Sequence, residues 1–233
     1  MDFSKRSTEK EWMDHPGITK KILKDVFRDI NKVNDLLGGN RATLKAVAGI
    51  IRDCPKEEYT LLDVGCGDGS ILRAIARYGR VKKIRMKLIG IDLNADALSI
   101  AAEKSGDYPE ISFARRDILT LPEENEVCDI LLCTLTMHHF STRQIPLFLK
   151  KFVSMVAIGV VINDLQRSRL AYYLFKGFSA IFIGTDIARH DGQISIQSGF
   201  TKKELRGFSG MFPGVYHRIS WKWAFRYVWV MRT

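Results

Sequence analysis

The residues able to do chemistry are concentrated in one glycine-rich loop, two later aspartates and a pair of histidines. The loop lies in Leu61–Ser70, where an apolar run ends at Asp63 and glycines follow at positions 65, 67 and 69. Because glycine lacks a Cβ and tolerates positive φ, such a loop lets the backbone come close to a ligand. Ser70 stands where a dinucleotide fingerprint needs glycine, and no Gly-Lys-Ser/Thr follows, so the pattern excludes that fingerprint and a Walker phosphate loop.

Asp92 and Asp117 each close an apolar run downstream of the loop. The two carboxylate oxygens of Asp92 match the paired hydroxyls of a ribose. Asp117 could accept a hydrogen bond from the exocyclic amine of adenine, while Leu93 and Ile118 could hold the base between them. In isolation, Asp92 could instead begin the helix that follows it, and Asp117 could pair with a neighbouring arginine. Together with the loop, the two aspartates favour a ligand that contains a nucleoside.

His138 and His139 follow a fourth apolar run, at whose end Thr134 could bond the amino-acid portion of such a ligand. A neutral imidazole has an unperturbed pKa of about 6.5 and can remove the proton of a phenol or enol. His190 lies in a later turn-like segment and is an alternative base. Each of the three could instead pack or cap a helix, so the residues alone leave the choice of base open.

These residues fall at the ends of alternating strands and helices. Continuous apolar strands separated by helices indicate a parallel sheet covered on both faces, with ligands at the carboxyl ends of the strands. The predicted strands are Tyr59–Val64, Lys87–Asp92, Ile111–Ala114, Asp129–Cys133 and Ile158–Asp164, and the helices between them are about Ser70–Tyr78, Ala95–Lys104 and Gln144–Val156. Two later runs, Gly214–Ser220 and Phe225–Arg232, predict a terminal β-hairpin.

The segments outside this alternation read as helical. Residues 1–58 predict one helix that Gly38-Gly39 stops and a second at about Arg41 to Asp53, a pair that could pack on the core or cover a ligand mouth. Leu170–Ile183 is broadly apolar and too short to span a bilayer, so it could be buried as a cap, line a pocket or dip into a membrane surface. Thr201, with Glu204 three residues on, predicts a further helix that begins with a capping box.

Composition limits the classes of function. The chain has 233 residues, a hydrophobic fraction of 46% and a mean hydropathy of -0.07, values typical of a soluble globular domain. The polar N-terminus lacks the apolar core of a secretion signal, which predicts a cytoplasmic location. The four cysteines have no metal-finger spacing, so we expect reduced thiols and no metal. The net charge of +10 is spread along the chain without a nucleic-acid-binding motif, and anionic substrates or lipid headgroups account for it at least as well as nucleic acid does.

In this order, the loop, Asp92, Asp117 and the segment Cys128–Phe140 resemble the motifs of the class I S-adenosylmethionine-dependent methyltransferases. The resemblance covers roughly residues 40 to 233 and implies an α/β, Rossmann-like fold with a seven-stranded, mostly parallel sheet whose last strand is antiparallel. It implies a domain at 59–233, with 1–58 as a helical extension and 165–200 as a cap after the fifth strand. S-adenosylmethionine would be bound by Asp63, Gly65, Cys66, Gly67, Asp92, Leu93, Asp117, Ile118 and Thr134.

The Leu-x-x-His-His-Phe ending of the fourth run is similar to that of small-molecule enzymes related to the ubiquinone and menaquinone C-methyltransferases. The early segment Val33–Gly39 and the stretches Ile162–Ser168 and Arg189–Gly192 resemble methyltransferases of polyketide pathways. We therefore expect methylation of a phenolic or enolic oxygen on a small hydrophobic, aromatic or polyketide-like acceptor, with no nucleic-acid partner. The alternatives are carbon methylation of a quinol-type ring, a nonenzymatic binding protein, and an enzyme held at a membrane surface. The catalytic candidates are His138, His139 and His190.

Overall fold

A central seven-stranded sheet organises the chain, of which the computed structural model describes residues 2–121 and 128–233. The strands are β1 (Glu58–Val64), β2 (Arg85–Asp92), β3 (Ile111–Arg115), β4 (Cys128–Thr134), β5 (Val156–Leu165), β6 (Tyr216–Lys222) and β7 (Arg226–Arg232). They lie in the order β3-β2-β1-β4-β5-β7-β6. Strands β1 to β5 pair in parallel, whereas β7 is antiparallel to both of its neighbours. The Rossmann-like sheet with an antiparallel last strand, predicted from the sequence, is confirmed.

Helices cover both faces of this sheet. They are α1 (Lys20–Leu36), α2 (Gly39–Asp53), α3 (Ser70–Lys82), α4 (Ala95–Lys104), α5 (Ile145–Ser154), α6 (Arg169–Phe182), α7 (Asp186–Ser198) and α8 (Lys202–Ser209). Successive side chains of a strand point to opposite faces, and in β4 Leu131 packs in the core cluster beside α5 and α8 while Leu132 packs in the cluster beside α2 and α3. A strand buried on both faces is apolar at most of its positions, which explains the nearly continuous apolar runs in the sequence.

The strand order reverses direction at β1, whose neighbours are β2 on one side and β4 on the other. Crossovers that leave a sheet in opposite directions open a crevice at the carboxyl ends of the two central strands. The loop after Val64 and the residues after Thr134 therefore lie at the edge of one crevice. This placement brings together motifs that are about seventy residues apart in the chain.

The two glycines between α1 and α2 have different roles from those expected. Gly38 has φ +72° and turns the chain, but Gly39 is already the first residue of α2, which the sequence placed at about Arg41. A Cβ at Gly39 would overlap the guanidinium of Arg226. Glycine therefore allows the start of α2 to approach β7, and that long-range contact is not visible in the local pattern.

Helix α6 is only partly buried. Ala171, Tyr172 and Ser179 are buried, whereas five large apolar side chains of the helix are exposed, namely Leu170, Tyr173, Leu174, Ile181 and Phe182. The apolar segment predicted from the sequence is therefore a helix that leaves much of its apolar surface exposed. Among the helices that the structure describes, none has the length and hydropathy to cross a membrane.

The segment before α1 crosses the carboxyl edge of the sheet, an arrangement that the sequence did not indicate. Arg6 donates through Nε to the carbonyl of Ser198 at 2.8 Å and through Nη2 to the carbonyl of His138 at 2.7 Å. The backbone amides of Trp12 and Met13 donate to the carboxylate of Asp191 in α7 at 2.7 and 2.9 Å. The N-terminal segment is thus fastened to α7 and to the end of β4.

One buried carboxylate ties α1 to the turn between α6 and α7. Asp29 Oδ2 accepts hydrogen bonds from the amides of Gly184 and Thr185 at 3.0 and 2.8 Å and from the Thr185 hydroxyl at 2.9 Å.

We predict that Asp29→Ala lowers the free energy of unfolding by about 3 kcal/mol, because buried donors lose a charged acceptor. Urea denaturation measures this. Asp25→Ala on the same helix, at an exposed ion pair, should cost less than about 1 kcal/mol, and equal losses would contradict the assignment.

Candidate functional site

A cavity of about 850 Å³ occupies the crevice at the carboxyl ends of the strands. Its floor is formed by the loops after β1, β2 and β4, and its walls come from α1, α6, α7 and the segment before α1. All nine residues predicted to hold a cofactor line it: Asp63, Gly65, Cys66, Gly67, Asp92, Leu93, Asp117, Ile118 and Thr134. The fold therefore brings the scattered sequence motifs to a single cavity.

The glycine-rich loop is held against the end of β2. The amides of Gly65 and Cys66 both donate to the carbonyl of Ile91, at 2.9 and 3.1 Å. The amide of Gly67 donates to Asp92 Oδ2 at 2.9 Å. Gly65 has φ +70°, and a Cβ there would overlap the side chain of Thr136. Glycine is required at this position by the backbone conformation and by the closeness of Thr136 in the loop after β4.

The carboxylate of Asp63 is buried beneath this loop. Among the described residues, neither of its oxygens has a hydrogen-bond donor. Burial, and the nearby charge of Asp92, raise the pKa of Asp63 well above its usual value. The hydroxyl of Thr134, also on the cavity lining, is a second buried group without a partner in the described chain. Because buried polar groups are almost always hydrogen-bonded, these atoms indicate a ligand with N–H or cationic groups.

Asp92 ends β2 and Asp117 follows the neighbouring strand β3, and both are positioned by backbone amides. Asp92 Oδ1 accepts from the amide of Asn94 at 2.9 Å. Asp117 Oδ1 accepts from the amide of Leu119 at 2.9 Å. Ile118 is buried, whereas Leu93 is 60% exposed. Both carboxylates are therefore oriented at the edge of the cavity by amides of their own loops.

His138 is buried between two carboxylates. Its Nδ1 lies 2.7 Å from Asp164 Oδ1, and its Nε2 lies 3.3 Å from Glu11 Oε1. Its backbone amide donates to Asp164 Oδ2 at 3.0 Å. Burial alone would lower the pKa of His138, but the charges and hydrogen bonds of Asp164 and Glu11 raise it to about 10. The ring is therefore a cation at neutral pH and is unsuited to accept a proton.

His139 lies beside it, with 32% of its side chain exposed, on the cavity lining. Its Nε2 is 3.9 Å from Glu11 Oε2, and its Nδ1 is 3.5 Å from Asp14 Oδ2. The rings of His138 and His139 stack with centroids 4.4 Å apart. Donor atoms of Glu11, His138 and His139 all lie within 4.8 Å of one another, close enough to hold an ion, although the sequence predicted no metal.

His190 lies outside the cavity lining. Its ring stacks on Trp12 at 3.8 Å, and its Nδ1 is 3.0 Å from Asp191 Oδ1. The fold thus brings two of the three candidate histidines to the cavity and gives the third a contact that packs the N-terminal segment on α7.

Comparison with known proteins agrees with this geometry. Residues 61–159, somewhat less than half of the chain, match a family described as a methyltransferase domain. A curated relative, the 2-phytyl-1,4-naphtoquinone methyltransferase of Thermosynechococcus vestitus, is 38% identical over 63 residues, which are 27% of this chain and 27% of that protein. The aligned part thus spans about a quarter of the relative's length.

Solved structures of two other methyltransferases share the fold over nearly the whole chain. The plantazolicin methyltransferase BamL, in complex with a triazolic desmethylPZN analog and SAH, has a TM-score of 0.70 and 16% identity over 95% of this chain and 92% of that chain. The magnesium protoporphyrin IX methyltransferase ChlM from Synechocystis, with bound SAH, has a TM-score of 0.58 and 15% identity over 94% and 90% of the two chains. The likeness in fold thus extends beyond residues 61–159 to nearly the whole chain.

The residues of the methyltransferase cavity fit S-adenosylmethionine, the cofactor of this class. Its adenosine carries a ribose diol and an exocyclic amine, for which Asp92 and Asp117 supply acceptors at the cavity edge. Its methionine end carries two cationic groups, the sulfonium and the ammonium, besides a carboxylate, and the unpartnered carboxylate of Asp63 and hydroxyl of Thr134 are the groups in the described chain that match the cations. The fit rests on the chemistry of these side chains and on their common cavity.

Several residues of the methyltransferase site were missed from the sequence. Asp68 is buried inside the loop, and its Oδ2 accepts from Lys104 at 2.7 Å and Asn31 at 2.8 Å, joining the loop to α4 and α1. Glu11 lies before the first helix, and Arg226 begins the last strand. An acidic residue in a glycine-rich loop was a visible signal for Asp68, whereas Glu11 and Arg226 had none.

We predict that Asp92→Ala weakens binding of S-adenosylhomocysteine at least about tenfold, because a charged acceptor for the ribose is lost. Isothermal titration calorimetry measures the affinity. The matched control is Asp96→Ala on the next helix, an exposed aspartate away from the cavity lining, which should bind as the unmodified protein does. Undiminished affinity in the Asp92 variant would remove it from the cofactor site.

The buried His138 cation also predicts a pH dependence of stability. Because its pKa is raised from about 6.5 to about 10 on folding, its contribution is complete below about 6.5 and is lost as pH rises through about 10. The charged or titratable groups facing it are Asp164, Glu11 and His139, with Arg6 on its carbonyl. The difference in unfolding free energy between the unmodified protein and His138→Gln should shrink over this range. A difference that stays constant with pH would contradict the assignment.

Proposed function

We propose that the protein transfers a methyl group from S-adenosylmethionine to a phenolic or enolic oxygen of a small hydrophobic, aromatic or polyketide-like acceptor. The observation that carries this proposal is the composition of the cavity. Apolar side chains of the cap, among them Leu174, Phe175 and Phe178, face the same space as the Glu11–His138–His139 cluster. An apolar wall that excludes water beside one polar cluster suits a flat acceptor with a single reactive hydroxyl.

When bound, S-adenosylmethionine would supply a methyl group on its sulfonium, whose carbon the acceptor oxygen attacks in line while S-adenosylhomocysteine leaves. The chain's own part is to orient the acceptor and to receive its proton. We assign that second role to His139, the histidine of the cluster whose ring is partly exposed to the cavity. Glu11 and Asp14 lie 3.9 and 3.5 Å from its two nitrogens. The protonated ring of His138 would keep Glu11 and Asp164 in place.

The comparisons support a small-molecule acceptor. The names of the relative and the structural neighbours refer to a naphthoquinone, plantazolicin and a porphyrin. The naphthoquinone relative favours a second candidate, carbon methylation of a quinol-type ring. A nonenzymatic binding role is less well supported, because Asp63, Asp92 and Asp117 are all present at the cavity.

Residues 165–200 would act as the cap over the acceptor, within a domain at 59–233 preceded by the helical extension at 1–58.

The exposed apolar side chains of α6 support a cytoplasmic enzyme that also contacts a membrane surface, from which a hydrophobic acceptor would enter. Sedimentation with anionic vesicles at low and high salt tests this part of the proposal, and no sedimentation at either salt would exclude it.

We predict that His139→Gln lowers kcat for phenolic acceptors at least about a hundredfold, the contribution of a general base. Methyl transfer from labelled S-adenosylmethionine to a panel of phenols measures it, and S-adenosylhomocysteine affinity should stay unchanged. His15→Gln, at an exposed position away from the cavity lining, is the matched control. A larger loss in His190→Gln than in His139→Gln would move the base to His190, and transfer to peptide or RNA but to no phenol would overturn the proposed acceptor.

A further inference from the structure

Arg226 is a buried arginine on the cavity lining that the transfer reaction described above does not use. It is the first residue of β7 and pairs with Leu165 at the carboxyl end of β5. Only 2% of the residue is exposed. It lies on the cavity lining together with Asn34 and Phe225. Arg226 thus borders the cavity, while its Nε and Nη1 atoms are themselves buried.

The guanidinium lacks the partners that a buried arginine normally has. Its Nη2 donates to Asn34 Oδ1 at the long distance of 3.5 Å. In the described part of the chain, Nε and Nη1 have no hydrogen-bond acceptor. The negative charge of Asp164 acts on Arg226, but this carboxylate is already bonded to His138. Within residues 2–121 and 128–233, Arg226 is therefore a buried cation with neither an ion pair nor a full set of hydrogen bonds.

Arg167 provides an internal comparison. It is also buried, but it donates to Gly199 O at 2.7 Å, to Phe3 O at 3.0 Å and to Glu204 Oε1 at 2.7 Å. Arg167 thus joins the N-terminal segment, the residue after α7, and helix α8, whereas Arg226 makes a single long hydrogen bond within the described residues. A structural role explains Arg167 and leaves Arg226 unexplained.

The charge of Arg226 persists despite its burial. Burial lowers the pKa of the guanidinium to about 10, partly offset by Asp164, so the group is still a cation at neutral pH. A buried, uncompensated charge is unfavourable unless a partner arrives. Gly39 leaves space for the guanidinium of Arg226, because a Cβ at that position would overlap Nη1. The fold therefore keeps a poorly compensated cation in the cavity wall at a cost in stability.

We propose that Arg226, with Asn34, forms a subsite for a carboxylate of the bound ligands. A carboxylate offers two acceptor oxygens and one negative charge, and it matches the planar guanidinium better than any neutral group does. The subsite deepens the proposed function and rests on it for the identity of the ligands. Two sources share this chemistry, the amino-acid end of the donor and an acid group on the aromatic acceptor.

The first test compares two arginine-to-methionine variants without ligand. Arg226→Met should unfold at a temperature no lower than that of the unmodified protein, because an apolar side chain of similar size replaces an unpaired charge. Arg167→Met should unfold roughly 5 °C lower or more, since its buried acceptors lose their donor. Differential scanning calorimetry measures both. If the two variants are equally destabilised, Arg226 has a structural role and the subsite is wrong.

The second test identifies the source of the carboxylate by two matched ligand pairs. S-adenosylhomocysteine is compared with methylthioadenosine, which lacks the amino-acid end, and β-resorcylate is compared with resorcinol, which lacks the acid group. In at least one pair, Arg226→Met should weaken the carboxylate-bearing member at least about 30-fold and leave the other unchanged. Arg226→Lys, which keeps the charge without the planar fork, should lie between them. Calorimetric titration needs no methyl transfer, so the subsite can fail or succeed independently of the proposed reaction.

Loss in the first pair assigns the subsite to the donor, and loss in the second assigns it to the acceptor. If Arg226→Met weakens the carboxylate-bearing member selectively in neither pair, whether because nothing weakens or because both members weaken equally, the proposal is overturned.

Discussion

The reversal of strand order at β1 is the constraint on which the rest of the molecule depends. Helices that leave the sheet in opposite directions cannot cover the carboxyl ends of β1 and β4, so polar groups collect there without a helix to satisfy them. The loop is consequently fixed by three amides at the end of β2, and Asp63 is buried beneath it without a donor in the described chain. The fold creates the unsatisfied polar groups, and the methyltransferase cofactor is the chemistry that suits them.

The cavity is closed by elements from the far ends of the chain. Glu11 enters from the N-terminal segment, the apolar wall comes from α6 after the fifth strand, and Arg226 begins the last strand. The part of the chain that matches the methyltransferase family contains the loop and the histidines, but none of these three. The residues that fit the cofactor therefore lie within the matched stretch, whereas part of the cavity wall comes from segments outside it.

Periodicity and glycine spacing predicted the sheet and the donor half of the cavity because both are local. An apolar run of five to seven residues that leads to an aspartate indicates both a buried strand and the point where it ends, so the sequence was enough to place Asp63, Asp92 and Asp117 near strand ends. Gly39 was misread because its neighbour is Arg226, almost two hundred residues away. His138 and His139 are adjacent in sequence, and only the carboxylates around them, from β5 and the N-terminal segment, separate a buried cation from a partly exposed ring. Nothing in the local pattern carries that difference.

The fastening of the N-terminal segment also sets the charge balance around the buried histidine. Glu11 bonds Ser195 of α7 and His138 of the cavity floor, and the amides directly after it are held by Asp191 of the same helix. Glu11 is thereby one of the two counter-charges of His138, and Asp164 is the other. The attachment of the segment to α7 and the compensation of a buried cation therefore depend on the same carboxylate.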